Sequence, residues 1–372
     1  MSWRIPSTAS GFSHKTSKPV TTLTHRLALL DVLRCALALL IFMFHSNMHF
    51  GCDYGFLNKI VGQGAFAMTG FFLLSGYSLR IAYGEKDLIE KSALKGFYIK
   101  RALAILPMYY TYALLYILFL GDESLRENLL LFPIEGLGLQ STFSSLFGIT
   151  HNGGTWFISC LLLGYLIYPF IQTVAKQLSV KQEAFLIVLL VGVDLWAVLV
   201  SKVFGTSWIY DNPFYRILEF SAGLLVADVN KRSDGRIVNI LRSWGVLFGV
   251  SITMLVSIAL IQYFCHIRDY MIWNWVVLPC FVIMLFSMGS KNVKWLEQSR
   301  LLRYASSLSY AFFLFQPFVW KAGRFIVRQT GYDHNWFRIS FSFVLCTVIS
   351  MLMYEIVQKR FVGYFKMRFS RK

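Results

Sequence analysis

An all-α bundle of membrane-spanning helices is the fold this chain predicts, and three observations predict it. The 372 residues are 56% hydrophobic and 17% aromatic but only 15% charged, with a mean hydropathy of +0.55, far outside the range of a water-soluble domain. Apolar runs of about 20 residues, the length that crosses a hydrocarbon core of roughly 30 Å, recur along the chain. The basic residues are also asymmetric. Of 36, the N-terminal segment, alternate loops and the C-terminal tail hold 26, while the opposite loops hold 8. By the positive-inside rule both termini face the cytoplasm. The net charge of +17 is therefore a topology signal, helped by anionic membrane lipid, and does not point to nucleic acid.

Taken in order, residues 1–26 are polar, Ser/Thr-rich and basic, and predict a disordered cytoplasmic segment. Ten spans follow near 27–46, 60–79, 102–120, 154–175, 184–202, 213–229, 243–264, 271–290, 304–320 and 339–357, within one transmembrane domain over 27–358. The second span, "GAFAMTGFFLLSGYSLR" (64–80), is rich in small residues that let helices approach closely, so it belongs at the centre of the bundle. The outer loop 121–153 is too broken by Pro133 and its glycines for a span and too apolar for a solvated loop. A re-entrant or interfacial segment roofing an outer cavity fits it. The sixth span carries Arg216 and Glu219, placed to pair with each other. The last outer loop, 321–338, breaks the charge pattern with Lys321, Arg324, Arg328 and Arg338, which either meet an anionic group outside or are simply tolerated. Residues 359–372 form a basic cytoplasmic tail. Six cysteines without paired spacing read as small buried hydrophobes. No His/Cys cluster has metal-ligand spacing and no glycine-rich phosphate loop follows a strand, so no metal and no resident cofactor is expected.

The first span, "LLDVLRCALALLIFMFHS" (29–46), concentrates the chemistry. Ionisable groups inside a membrane helix cost several kcal/mol, and this one holds three: Asp31, Arg34 and His45. At about 100° per residue, Arg34 and His45 fall about 20° apart and Asp31 about 40° off on the other side, so all three share a face. His45 lies roughly 16 Å further toward the outside than Arg34. A helix-end ion pair with a snorkelling arginine is the plainer reading of Asp31 and Arg34, and an interfacial histidine that of His45 alone. The shared stripe favours a lined cavity, in which a histidine titrating near neutrality is the natural base for a hydroxyl proton.

An arginine, ten residues, then a histidine on the first span resembles the signature of the acyltransferase-3 family of integral membrane acyltransferases. The rest of the chain agrees in order. "FFLLSGYSL" (71–79), "YIKRALAILPMYY" (98–110), "GGTWFISCLLLGYLIYPF" (153–170), "YRILEFSAGLLVA" (215–227), "SSLSYAFFLFQPFV" (306–319) and "YEIVQKRF" (354–361) each resemble the family's successive segments, so the likeness covers roughly 24–362. Two positions depart from it: Ala104, where a second arginine is frequent, and Gln316, where many members have a histidine before the late-span proline.

The resemblance implies transfer of an acyl group, usually acetyl from acetyl-CoA as co-substrate, to a hydroxyl of an extracytoplasmic glycan such as lipopolysaccharide O-antigen, or of its lipid-linked precursor, at the bacterial inner membrane. His45 is then the base, or briefly carries the acyl group, with Arg34 orienting the donor and Asp31 fixing Arg34. Lys100 and Arg101, with Lys95, suit the phosphates of the donor at the inner mouth, although positive-inside residues need no ligand. Ser75 and Tyr109, together with Tyr77 and Tyr110, are candidate hydrogen-bond donors in the cavity. Trp156 is a candidate platform for a sugar ring, or part of an interfacial aromatic belt. Arg216 and Glu219 are candidates on the acceptor side, and His151 is an incidental loop residue. The competing class is a transporter or flippase of a polar or lipid-linked substrate; the absence of an inverted repeat and the polar stripe ending at the outer face argue against it.

Overall fold

The computed structural model describes residues 27–121, 124–142, 154–205, 209–267 and 269–369, and among these the chain is helices joined by turns, with no strand. The long helices are α1 (Ala28–Phe50), α2 (Ala67–Tyr83), α3 (Lys91–Phe119), α4 (Leu125–Gly136), α5 (Trp156–Gln177), α6 (Val180–Val203) and α7 (Pro213–Arg232). They are followed by α8 (Trp244–Cys265), α9 (Asn274–Met288), α10 (Arg300–Leu314), α11 (Gln316–Thr330) and α12 (Asn335–Met353), which runs through a π turn, Tyr354–Gln358, into α13 (Lys359–Phe369). The inner end below is the one where α1 begins, following the charge asymmetry of the sequence.

Eight helices among the described residues are long and apolar enough to cross a membrane. Two of the ten predicted spans fall outside that set, each for a physical reason. The sixth, α7, has the length, at 20 residues, but Arg216, Glu219, Asp228 and Asn230 lower its hydropathy. All four are buried, because α7 packs among other helices rather than against lipid. The ninth, 304–320, is not one helix. It ends at Leu314, turns at Phe315 and restarts as α11 with Pro317 in its first turn, where the missing N–H and the fixed φ suit a helix start.

The centre of the bundle is the contact of α2 with α7. A Cβ on Gly76 would collide with the carbonyl oxygen of Phe220, and one on Gly223 with that of Leu73, so the two backbones touch at reciprocal glycines. The small residues of 64–80 thus do what their composition predicts. On the periphery, α6 exposes Phe185, Val188 and Trp196 and α8 exposes Phe248, Ile252 and Leu260, as helices facing hydrocarbon do.

Pro107 sits inside α3 and takes away the hydrogen bond that the Leu103 carbonyl would receive. Gln358, in the π turn, donates its Nε2 to that carbonyl at 2.9 Å. In the outer loop, α4 is capped by Ser124 and Glu127 and exposes Leu125, Leu129, Leu130 and Phe132. The Tyr109 and Tyr110 hydroxyls tie it to α3 by donating to the carbonyls of Glu135 and Gly136 at 2.6 and 2.7 Å. Residues 1–26 and 143–153, with His151, lie outside the described residues.

Candidate active site

Helix α1 supplies both halves of the polar stripe. Leu33, Leu37, Ile41 and Phe44 bury its packing side, and Gly51 ends it in the left-handed conformation at φ 66°, its N–H returning to the Asn47 carbonyl. The shared face opens into two cavities stacked along the helix.

The inner cavity, about 220 Å³, is lined by Arg34, Ser75, Ala104, Tyr165, Tyr310 and Phe313 among mostly apolar neighbours. Arg34 stands 3.4 Å from Asp31. Ser306 of α10 bridges the pair: its hydroxyl donates to Asp31 Oδ1 at 2.6 Å and accepts from Arg34 Nη1 at 3.2 Å. Arg34 Nη2 donates to Ser78 of α2 at 3.3 Å. These bonds hold the guanidinium at the cavity wall, with the side chain still 31% exposed. Ser75 lines the same cavity, its hydroxyl donating to the Phe71 carbonyl at 2.7 Å and leaving its lone pairs to accept.

Below this cavity, Arg101 lies over the rings of Tyr83 and Tyr165, at 5.4 and 5.7 Å from their centroids, and donates to the Tyr83 hydroxyl at 3.3 Å. Its Nε is buried without an acceptor among the described residues. Lys100 is exposed beside it.

The outer cavity, about 560 Å³, is lined by His45 and His49 of α1, by Tyr112 of α3, and by Phe313, Pro317, Trp320, Lys321, Arg324 and Arg328 from α10 and α11. The helix break at Phe315 delivers the side chain of Gln316 to His45, Oε1 meeting Nδ1 at 2.6 Å. An amide oxygen at that distance requires the proton on Nδ1, which leaves Nε2 with its lone pair free to accept a proton. Phe313 lines both cavities, its ring 5.8 Å from that of His45 and 4.6 Å from that of Phe157.

The remaining predicted residues are elsewhere. Tyr109 is buried and committed to α4, and lines neither cavity. Trp156 is buried with its ring 4.9 Å from Tyr210 and 5.6 Å from the Arg216 guanidinium. Arg216 and Glu219 pair at 2.7 Å as predicted, but inside the protein. Arg216 also donates to Thr69 at 3.2 Å and to the Tyr210 carbonyl at 2.8 Å, while Asn274 donates to both Glu219 and Asp194. This is an enclosed polar network caged by aromatic rings, with no lining residue in either cavity.

Gln316 and Ala104, the two departures from the family pattern, both border the site. Gln316 orients the histidine, and Ala104 leaves open a wall of the inner cavity that a longer side chain would fill. Ser78, Ser306, Tyr112, Tyr165 and Phe313 gave no signal of their own.

Residues 27–355 match the family model for the acyltransferase domain of the acyltransferase-3 family. The search of curated proteins and the search of solved structures found no match. The chain belongs to the acyltransferase-3 family, and is an integral membrane acyltransferase.

Proposed function

Starting from that membership, we infer that the protein transfers acetyl from acetyl-CoA to a hydroxyl of a surface polysaccharide, such as lipopolysaccharide O-antigen or its lipid-linked precursor, in the bacterial inner membrane. The observation that carries this reading is His45: a histidine oriented by Gln316, with Nε2 free, in an outer cavity next to a second cavity that holds an arginine.

The division of labour follows from distance. Arg34 and His45 are about 16 Å apart along α1, too far to touch the same atom. Arg34 therefore holds the polar arm of the donor, while the acyl end reaches past Phe313 toward His45. The inner cavity, at about 220 Å³, is smaller than a typical pocket for a whole cofactor-sized ligand. The nucleotide part stays at the inner end, near Arg101 and Lys100. At the outer end the acceptor hydroxyl gives its proton to Nε2 as its oxygen attacks the thioester carbonyl. The carbon–sulfur bond breaks, and the departing thiolate takes the proton back from His45 Nε2, leaving coenzyme A as the free thiol and the imidazole neutral. Gln316 holds the imidazole in register throughout.

The test is ester-linked acetate on the purified glycan, measured by NMR in cells carrying each variant at equal amounts of membrane protein. His45→Ala removes the base and lowers acetate by about 10²- to 10⁴-fold. Wild-type acetate from that variant would end the reading.

A further inference from the structure

Helix α11 places Lys321, Arg324 and Arg328 on the wall of the outer cavity, at i, i+3 and i+7, so that they share one face. All three are exposed at its rim. None pairs with a carboxylate among the described residues. Lys321 donates to the Phe119 carbonyl at 2.5 Å and Arg324 to the His49 carbonyl at 2.8 Å, and Arg328 has no hydrogen bond there. Arg338, the fourth cation of this outer segment, is treated differently. Its guanidinium meets both carboxylate oxygens of Asp333 at 2.5 Å and also donates to two α1-end carbonyls. The structure neutralises the cation that fastens α12 to α1 and leaves three like charges facing a cavity, at the end of the bundle where basic residues are otherwise scarce.

A second, independent observation lies opposite. Tyr112 is 1% exposed and lines the same cavity, yet its hydroxyl has no hydrogen-bond partner among the described residues. A buried hydroxyl without a partner costs free energy, and an oxygen-rich ligand in the cavity would relieve it.

Building on the acyltransferase reading of this cavity, we propose that its acceptor is an anion: a glycan carrying a phosphate or carboxylate, seated on Lys321, Arg324 and Arg328 so that a neighbouring hydroxyl reaches His45. Arginine recognises both groups through paired, charge-assisted N–H donors. The shared chemistry has two sources, an acidic sugar of the polymer or the diphosphate of a lipid-linked precursor. Tyr112 donates to an oxygen of the same molecule.

Binding can be read without turnover, so failure here is separable from failure of the acyltransferase reading. The full-length protein in lipid nanodiscs is titrated with inorganic pyrophosphate, glucuronate and glucose, following the fluorescence of its tryptophans, Trp320 being in the cavity wall. Both anions bind more tightly than glucose, and Arg328→Gln weakens the tighter one about tenfold. That substitution removes no hydrogen bond or ion pair among the described residues. Raising the salt weakens anion binding in the wild type. Preference for pyrophosphate identifies the lipid-linked precursor, and preference for glucuronate an acidic polymer. Equal binding of anions and glucose, or an Arg328→Gln variant indistinguishable from wild type with both anions, overturns the proposal. Glycan acetate in His45→Ala cells reports separately on the reaction.

Discussion

Helices α1 and α7 each carry an arginine and a carboxylate three residues apart, and the two pairs are built to different ends. On α7, Arg216 and Glu219 are 1% and 0% exposed at 2.7 Å; Thr69 and the Tyr210 carbonyl take further Arg216 donors, and Thr69 and Asn274 donate to the same Glu219 oxygen, Oε1. On α1, Asp31 and Arg34 stand at 3.4 Å with 16% and 31% exposure, stitched by the hydroxyls of Ser306 and Ser78. The first pair is consumed by the fold. The second is held in place but left facing a cavity, and the weaker, serine-mediated contact is what keeps the arginine available to a ligand. Sequence spacing alone does not distinguish them; enclosure does.

The sharpest way to break this comparison is to remove one partner on α7. Glu219→Ala leaves a buried guanidinium uncompensated, a loss of about 3–5 kcal/mol. The expected outcome is loss of folded protein from the membrane, read by immunoblot and by thermal stability after purification. Full abundance with lost acetylation would instead place Glu219 in the reaction. On α1 the effect falls on activity. Arg34→Lys keeps the charge but loses the planar fork that reaches Ser306 and Ser78 together, and should lower glycan acetate about 10²-fold at unchanged abundance. A silent Arg34→Lys would make the α1 pair as structural as the α7 pair.

Gln316→Leu sharpens the same contrast one helix away. It preserves volume but frees the His45 ring, with an expected fall of about tenfold in the transfer rate and little change in the donor concentration required. The smallest effect belongs to the inner end. Arg101→Ala should raise the acetyl-CoA concentration needed for half-maximal rate several-fold, with the acceptor preference untouched. An unaltered donor requirement would reduce Arg101 to a topology residue.

The comparison also shows where a sequence stops being readable. Asp31, Arg34 and His45 were visible because they lie on one helix, where a fixed rotation per residue puts them on one face. Ser306 and Gln316 come from α10 and α11, some 270 positions away, and only packing brings them to that face. The interruption at Phe315 was hidden inside a run apolar enough to pass for one span. Pro317 marked it, but a proline is tolerated in many membrane helices, as at Pro107, Pro169 and Pro279 in this chain. Helix α7 shows the opposite case. Hydropathy ranks its residues as poor membrane formers, whereas their polarity is spent inside the bundle. The central role of α2 was legible because small residues have one dominant use between helices in lipid.

Phe313, as the wall common to both cavities, places one aromatic side chain on the path between them. A membrane potential of 100 mV is worth about 2.3 kcal/mol for each elementary charge that crosses it. Carrying a net charge past that ring and on across the membrane would cost work of that order. In the transfer proposed above, a neutral acetyl thioester on a neutral arm passes that ring while the donor's phosphates stay at the inner end. On that proposal no net charge crosses the membrane with each acyl group transferred.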